Sequence, residues 1–209
     1  MTNHSIAPNF NLDVLCTITI SLALSIILLH LIRSLSLSLN VFDVPEERSS
    51  HQKSIPTLGG IAFFIILLIT TQFFGSRDVN LTIISALLVI LFTGLFDDLK
   101  NLAPKFKLLG QFLAAGILVL NKDFRLISVH GFLGLPPQSE VILIATSILI
   151  VLTIVNAFNL IDGIDGMAAI IGIIIFSNLG VLFYSLNLTL YFFMSLASIS
   201  MLIGYLRFN

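Results

Sequence analysis

Two carboxylates stand side by side at Asp97-Asp98, where an apolar run ends, and Asn101 follows them. The C-terminal end of a helix carries partial negative charge, so adjacent acids there are electrostatically misplaced unless something offsets them. Acids beside hydrocarbon are costly and by default mark a functional site. Crowded carboxylates share a proton or gather a cation. The bland alternative is a polar stop at a membrane edge, but such a stop favours Lys or Arg at that end. Pro104 suits the first turn of the helix that follows.

A second constellation, Asn156-Ala-Phe-Asn159-Leu-Ile-Asp162-Gly163-Ile-Asp165-Gly166, closes another apolar run. Asn156 and Asn159 are three apart and share a helix face. Gly163 and Gly166 permit a tight turn in which the backbone can approach a phosphate closely. Asp162 and Asp165 are hard oxygen donors suited to Mg²⁺, which takes few protein carboxylates beside phosphate oxygens. Asn, Asp and Gly are also ordinary turn residues, but their concentration at the end of a span makes this the strongest signal in the chain. A third segment, Asp43–Gly60, carries Arg48, His51 and Lys53. Arg holds phosphate bidentately and Lys holds it as a point charge. Glu46 and Glu47 partly cancel that charge, and topology alone would account for Arg48 and Lys53.

Seven apolar stretches position these motifs: Leu12–Ile32, Leu58–Phe74, Leu81–Phe96, Phe106–Leu120, Val141–Phe158, Ala168–Leu186 and Thr189–Leu206. Spanning a bilayer takes about 20 helical residues. The third and fourth stretches fall short and reach that length only if helix extends into the flanking polar motifs, as expected here. The chain has 209 residues, of which 57% are hydrophobic and only 10% charged, with a mean hydropathy of +1.07. A soluble domain carries roughly 25% charged residues. A bilayer supplies the missing apolar solvent, so the expected fold class is an all-α polytopic membrane protein, one transmembrane domain over residues 1–209.

The basic residues set the topology. Arg33, Arg48, Lys53, Lys100, Lys105, Lys107 and Arg207 fall on one face, and Arg77, Lys122 and Arg125 on the other. The bias puts the first set in the cytoplasm and the N-terminus outside. All three motif segments then share the cytoplasmic face. The outer loop 122–140 has a β-leaning stretch, Phe124–His130, before Gly131, Gly134, Pro136 and Pro137, and a small hairpin is expected there. His130 has no partner cluster and reads as a hydrated loop residue. The net charge of −1 argues against nucleic acid. Cys16 is the single cysteine, and the first ten residues lack the basic start of a secretory signal.

In these motifs the chain resembles the polyprenyl-phosphate N-acetylhexosamine-1-phosphate transferases. It is most similar to the branch that initiates O-antigen, enterobacterial common antigen or teichoic acid linkage synthesis. The resemblance runs through the Arg48–Gly60 loop, Asp97-Asp98 and Asn156–Gly166 in the same order. It implies transfer from a UDP-N-acetylhexosamine to undecaprenyl phosphate, releasing UMP, with Mg²⁺ as cofactor at the bacterial inner membrane. A homodimer is compatible with it. The resemblance implies that Asp97 deprotonates the lipid phosphate, or acts as nucleophile on a rival two-step scheme, and that Asp98 holds the metal or orients Asp97. Asn159 and Asp162 would lie at the metal–pyrophosphate site, supported by Asp165. Arg48, His51, Lys53, Asn156 and Asn209 would contact substrate.

The family pattern continues into a loop carrying Phe-Met-Gly-Asp, whereas this sequence stops at Gly204-Tyr-Leu-Arg-Phe-Asn209. A C-terminally truncated fragment with weak Mg²⁺ binding is therefore expected, and an inactive fragment is one alternative. A transporter with ion-binding acids is another, although it predicts acids at mid-span. A CDP-alcohol phosphotransferase would place Ala-Arg after Asp165-Gly166, where this chain has Met167-Ala168. Neither a Ser-His-Asp arrangement nor a Walker loop is present.

Overall fold

The computed structural model describes residues 10–39, 59–74, 77–100, 102–128, 139–161 and 166–208. Within them lie seven α-helices: α1 (Phe10–Leu39), α2 (Gly60–Phe74), α3 (Arg77–Lys100), α4 (Pro104–Leu120), α5 (Glu140–Ile161), α6 (Met167–Ser185) and α7 (Thr189–Tyr205). Each coincides with one expected apolar stretch, and no strand occurs among the described residues. α3 extends through Asp97-Asp98 to Lys100 and reaches 24 residues. α4 gains only Pro104 and Lys105 and stays at 17 residues, because Pro104, at its N-terminus, lacks the N–H that would continue the ladder.

Four helices, α1, α3, α5 and α6, are long and apolar enough to cross a membrane by length and composition. α2 and α7 are apolar but shorter. Only 6% of the apolar window of α5 is buried, and an apolar helix surface left this open suits an apolar solvent. The protein is a multi-pass membrane protein.

The helices pack as two compact units. In the first, α7 contacts α1, α2 and α6. Small side chains explain its central place: Ser195, Ala197, Ser198, Ser200 and Gly204 are all buried. Lipid is as apolar as Leu, so membrane helices associate through close backbone approach rather than hydrophobicity. Ser25 of α1 donates across the interface to the Met201 carbonyl at 3.0 Å. A Cβ at Gly204 would meet Ser25 Oγ, with Ser25 Cβ 2.9 Å away. Gly204→Ala is therefore expected to cost about 1–3 kcal/mol, and Ser25→Gly in the same chain should recover most of it. Thermal melting in detergent checks both.

The turn between α6 and α7 follows from Asn187, which adopts φ 56°. Asn tolerates this left-handed conformation better than most residues. Leu188 N–H then reaches the Phe183 carbonyl at 2.9 Å and Asn187 N–H the Tyr184 carbonyl at 3.1 Å, which satisfies the last carbonyls of α6. α6 itself begins after Gly166, at φ 67°.

The second unit contains α3, α4 and α5, with α4 packed against both neighbours. At one end a polar strap fastens the three. Asn121 Nδ2 donates to Thr82 Oγ1 at 3.2 Å, Leu126 N–H to Ser147 Oγ at 2.9 Å, and Arg125 pairs with Glu140 at 2.7 Å. Of the loop expected to form a hairpin, residues 122–128 are described; they open with a 3-10 turn at Lys122–Phe124 and contain no strand. Asn121 Oδ1 accepts from Asp123 N–H at 3.0 Å, and this local side-chain bond closes a turn where strand pairing would need a partner. Residues 129–138, His130 included, lie outside the described residues.

Candidate active site

The other end of the α3–α4–α5 unit carries the acids. Asp97 lies in the last turn of α3, and both carboxylate oxygens are engaged. Its Oδ1 accepts from Leu102 N–H at 3.2 Å. Its Oδ2 meets Lys107 Nζ at 2.8 Å. Of the two outcomes open for crowded acids, a shared proton or a gathered cation, Asp97 has the cation, supplied from the first turns of α4. Asp98 is exposed beside Asp97. The pair is only partly sheltered, with side-chain exposures of 38% for Lys107 and 25% for Asp97, so a phosphate could reach either group.

Lys107 and Gln111 are four apart on α4 and so share a face. Gln111 is 5% exposed, and its Oε1 accepts from Asn156 Nδ2 of α5 at 3.0 Å. Asn156 also donates to the Leu152 carbonyl at 2.8 Å. The donor end of its amide is thus used inside the unit, and its carbonyl oxygen is the end that can meet a ligand. Asn159, one turn later, is exposed. One face of α4 therefore binds both Asp97 of α3 and Asn156 of α5, through Lys107 and Gln111, which lie about one turn apart along α4.

Gln111→Leu should leave the helices in place and unhook Asn156, at a cost of about 1 kcal/mol. The side-chain amide resonances of Asn156 and the melting temperature report the two effects separately.

Lys107 and Gln111 were not among the sequence-derived site residues. Their spacing, four apart on a helix that also carries Lys105, places them on one face but names no partner. Among the described residues, no three acidic, His or Cys side chains cluster together. Arg48, His51, Lys53, Asp162, Asp165 and Asn209 lie outside the described residues.

The family model described as glycosyl transferase family 4 matches residues 80–209, more than half of the chain and the whole of the Asp97–Lys107–Gln111–Asn156 arrangement. The chain belongs to glycosyl transferase family 4. This family-4 chain is 28% identical over 199 residues to a probable undecaprenyl-phosphate N-acetylglucosaminyl 1-phosphate transferase of Bacillus subtilis, covering 91% of the chain and 54% of that relative. It is 34% identical over 161 residues to a phospho-N-acetylmuramoyl-pentapeptide-transferase of Campylobacter jejuni, covering 69% of the chain and 45% of the relative. It is 29% identical over 156 residues to a decaprenyl-phosphate N-acetylglucosaminephosphotransferase of Mycolicibacterium smegmatis, with coverages of 68% and 38%. The chain spans about half, or less, of the length of these curated relatives. The family-model match takes in Asp97, Asp98, Asn156, Asn159, Asp162, Asp165 and Asn209 but stops short of Arg48, His51 and Lys53.

Proposed function

We propose that this family-4 chain transfers N-acetylhexosamine-1-phosphate from a UDP-sugar to undecaprenyl phosphate, at the start of cell-envelope polysaccharide synthesis. The observation that carries the reading is the Asp97–Lys107 pair at 2.8 Å, held one turn from the Gln111–Asn156 bond. Asp97 takes the proton from the acceptor phosphate. The freed oxygen attacks the phosphorus that bears the sugar, the diphosphate bridge breaks, and UMP leaves. Lys107 can swing its ammonium to a phosphate oxygen as the proton moves, so charge stays compensated through the step. Asp98 orients this end of the site, and Asn156 presents its carbonyl to the donor.

The donor chemistry fits Mg²⁺: Asn159 and Asp162 offer the hard oxygens that this ion prefers. Held by those two residues and phosphate oxygens, it would neutralise the diphosphate and the departing UMP. Asp165 supports them, and Arg48, His51, Lys53 and Asn209 contact phosphate and nucleotide. The chain acts as one transferase domain in the bacterial cytoplasmic membrane, with the site on the cytoplasmic side favoured by the positive-charge bias.

The test is UMP release in nanodiscs loaded with undecaprenyl phosphate, over a panel of UDP-sugars with titrated Mg²⁺. Release is expected with UDP-N-acetylhexosamines only. Asp162→Asn should raise the Mg²⁺ requirement about tenfold or more. An unchanged Mg²⁺ curve in that variant, or release that ignores the lipid acceptor, refutes the assignment.

A further inference from the structure

Three glycines lie on α3 and α4, and only one is constrained by its neighbour. A Cβ at Gly94 or Gly116 would meet nothing within 4 Å, whereas one at Gly110 would strike Thr93 Oγ1, with Thr93 Cγ2 at 2.6 Å and Cβ at 2.9 Å. Turning the Thr93 side chain cannot relieve this, because its Cβ is itself too close. The hydroxyl is moreover parked on the Val89 carbonyl at 2.7 Å. The two helices thus meet with a side chain of one lying directly on the backbone of the other.

The position of this contact matters. Asp97 lies four residues beyond Thr93 on α3, and Lys107 three residues before Gly110 on α4. At about 1.5 Å per residue, the contact sits roughly one turn from the Asp97–Lys107 pair. Gln111, which holds Asn156, follows Gly110 directly. We infer that Gly110 is a positioning residue: by admitting Thr93 it fixes the α3–α4 spacing at which Lys107 meets Asp97. It touches no substrate and acts through those two side chains. A methyl group at 110 would wedge the helices apart beside the pair, and interfaces this closely packed do not absorb such a change smoothly. The inference rests on the proposed function only for its catalytic consequence.

The test is solid-state NMR of the full chain in lipid, reading the dipolar coupling between lysine ¹⁵Nζ and aspartate ¹³Cγ, assigned by its loss in Asp97→Asn. The wild-type chain should show a strong short-range coupling. Gly110→Ala should abolish it, and Gly110→Ala combined with Thr93→Ser, Thr93→Ala or Thr93→Gly should restore it in that rising order. A coupling that survives Gly110→Ala overturns the inference, as does one that no Thr93 substitution restores. Should Gly110→Ala alone fail to fold, the Thr93 series must recover both fold and coupling; fold without coupling is equally fatal.

A second readout is kinetic. Gly110→Ala should lower kcat on the order of tenfold with KM for the UDP-sugar within about twofold, and Thr93→Gly should reverse this. If Asp97→Asn keeps the full rate while the NMR series behaves as stated, the proposed function fails and the spacing role of Gly110 stands.

Discussion

Asp97→Asn is expected to lower Mg²⁺-dependent UMP release by about 10²–10⁴-fold, the range for loss of a positioned base. The substitution changes little else. An asparagine oxygen can still accept from Leu102 N–H, which Asp97 Oδ1 holds at 3.2 Å, so the turn into α4 should persist. What disappears is the charge facing Lys107 and the capacity to take a proton. With exposures of 38% and 25%, the pair is partly solvated, and its loss should cost less than about 1 kcal/mol of stability. The expected signature is therefore a collapse of kcat/KM with the melting temperature nearly unchanged. A variant that keeps its rate would remove Asp97 from the chemistry, and one that melts early would make it a structural clip.

The helices were legible in the sequence for a simple reason: in a bilayer the run length of apolar residues is itself the structural constraint. All seven described helices fall where those runs fall. Their partners were less legible. Ser195, Ser198 and Ser200 look polar on paper, yet they are buried on the most enclosed helix, because small size rather than apolarity governs packing between membrane helices. The 3-10 turn at Lys122–Phe124 was masked by β-leaning neighbours, since one Asn121 side-chain bond decides it.

At the candidate site, the sequence reading named Asp97 and Asn156 but not Lys107 and Gln111, the side chains that bind them. A lysine just inside the membrane edge is what positive-inside topology already requires, so Lys107 carried no surplus signal until α4 was seen to bring it to Asp97. Gln111 was hidden likewise, because a single amide in an apolar helix names no partner. Asn156 and Asn159 were read from their spacing as sharing a face. The structure has both on the exposed part of α5, with only Asn156 bonded to α4.

Reversing charge at Lys107 separates the two things the ion pair could be doing. Lys107→Glu would set a second carboxylate where an ammonium now sits 2.8 Å from Asp97 Oδ2. Like charges at such a distance repel, and the arriving phosphate would face two acids with no compensating cation. A fall in rate of about 10²-fold or more is expected, along with a stability loss of up to about 1 kcal/mol, limited by solvent. The informative variant is the swap, Asp97→Lys with Lys107→Glu. It rebuilds an ion pair between the same two helices, so the melting temperature should return to the wild-type value. The rate should not return, because the carboxylate would then project from α4 while Asp98 and the end of α3 stay where they were. A proton acceptor displaced by even an ångström loses most of its effect. Measured together, melting and UMP release give a clear split: recovery of both would mean that any salt link between α3 and α4 suffices, and would shift the chemistry from Asp97 to its neighbour Asp98.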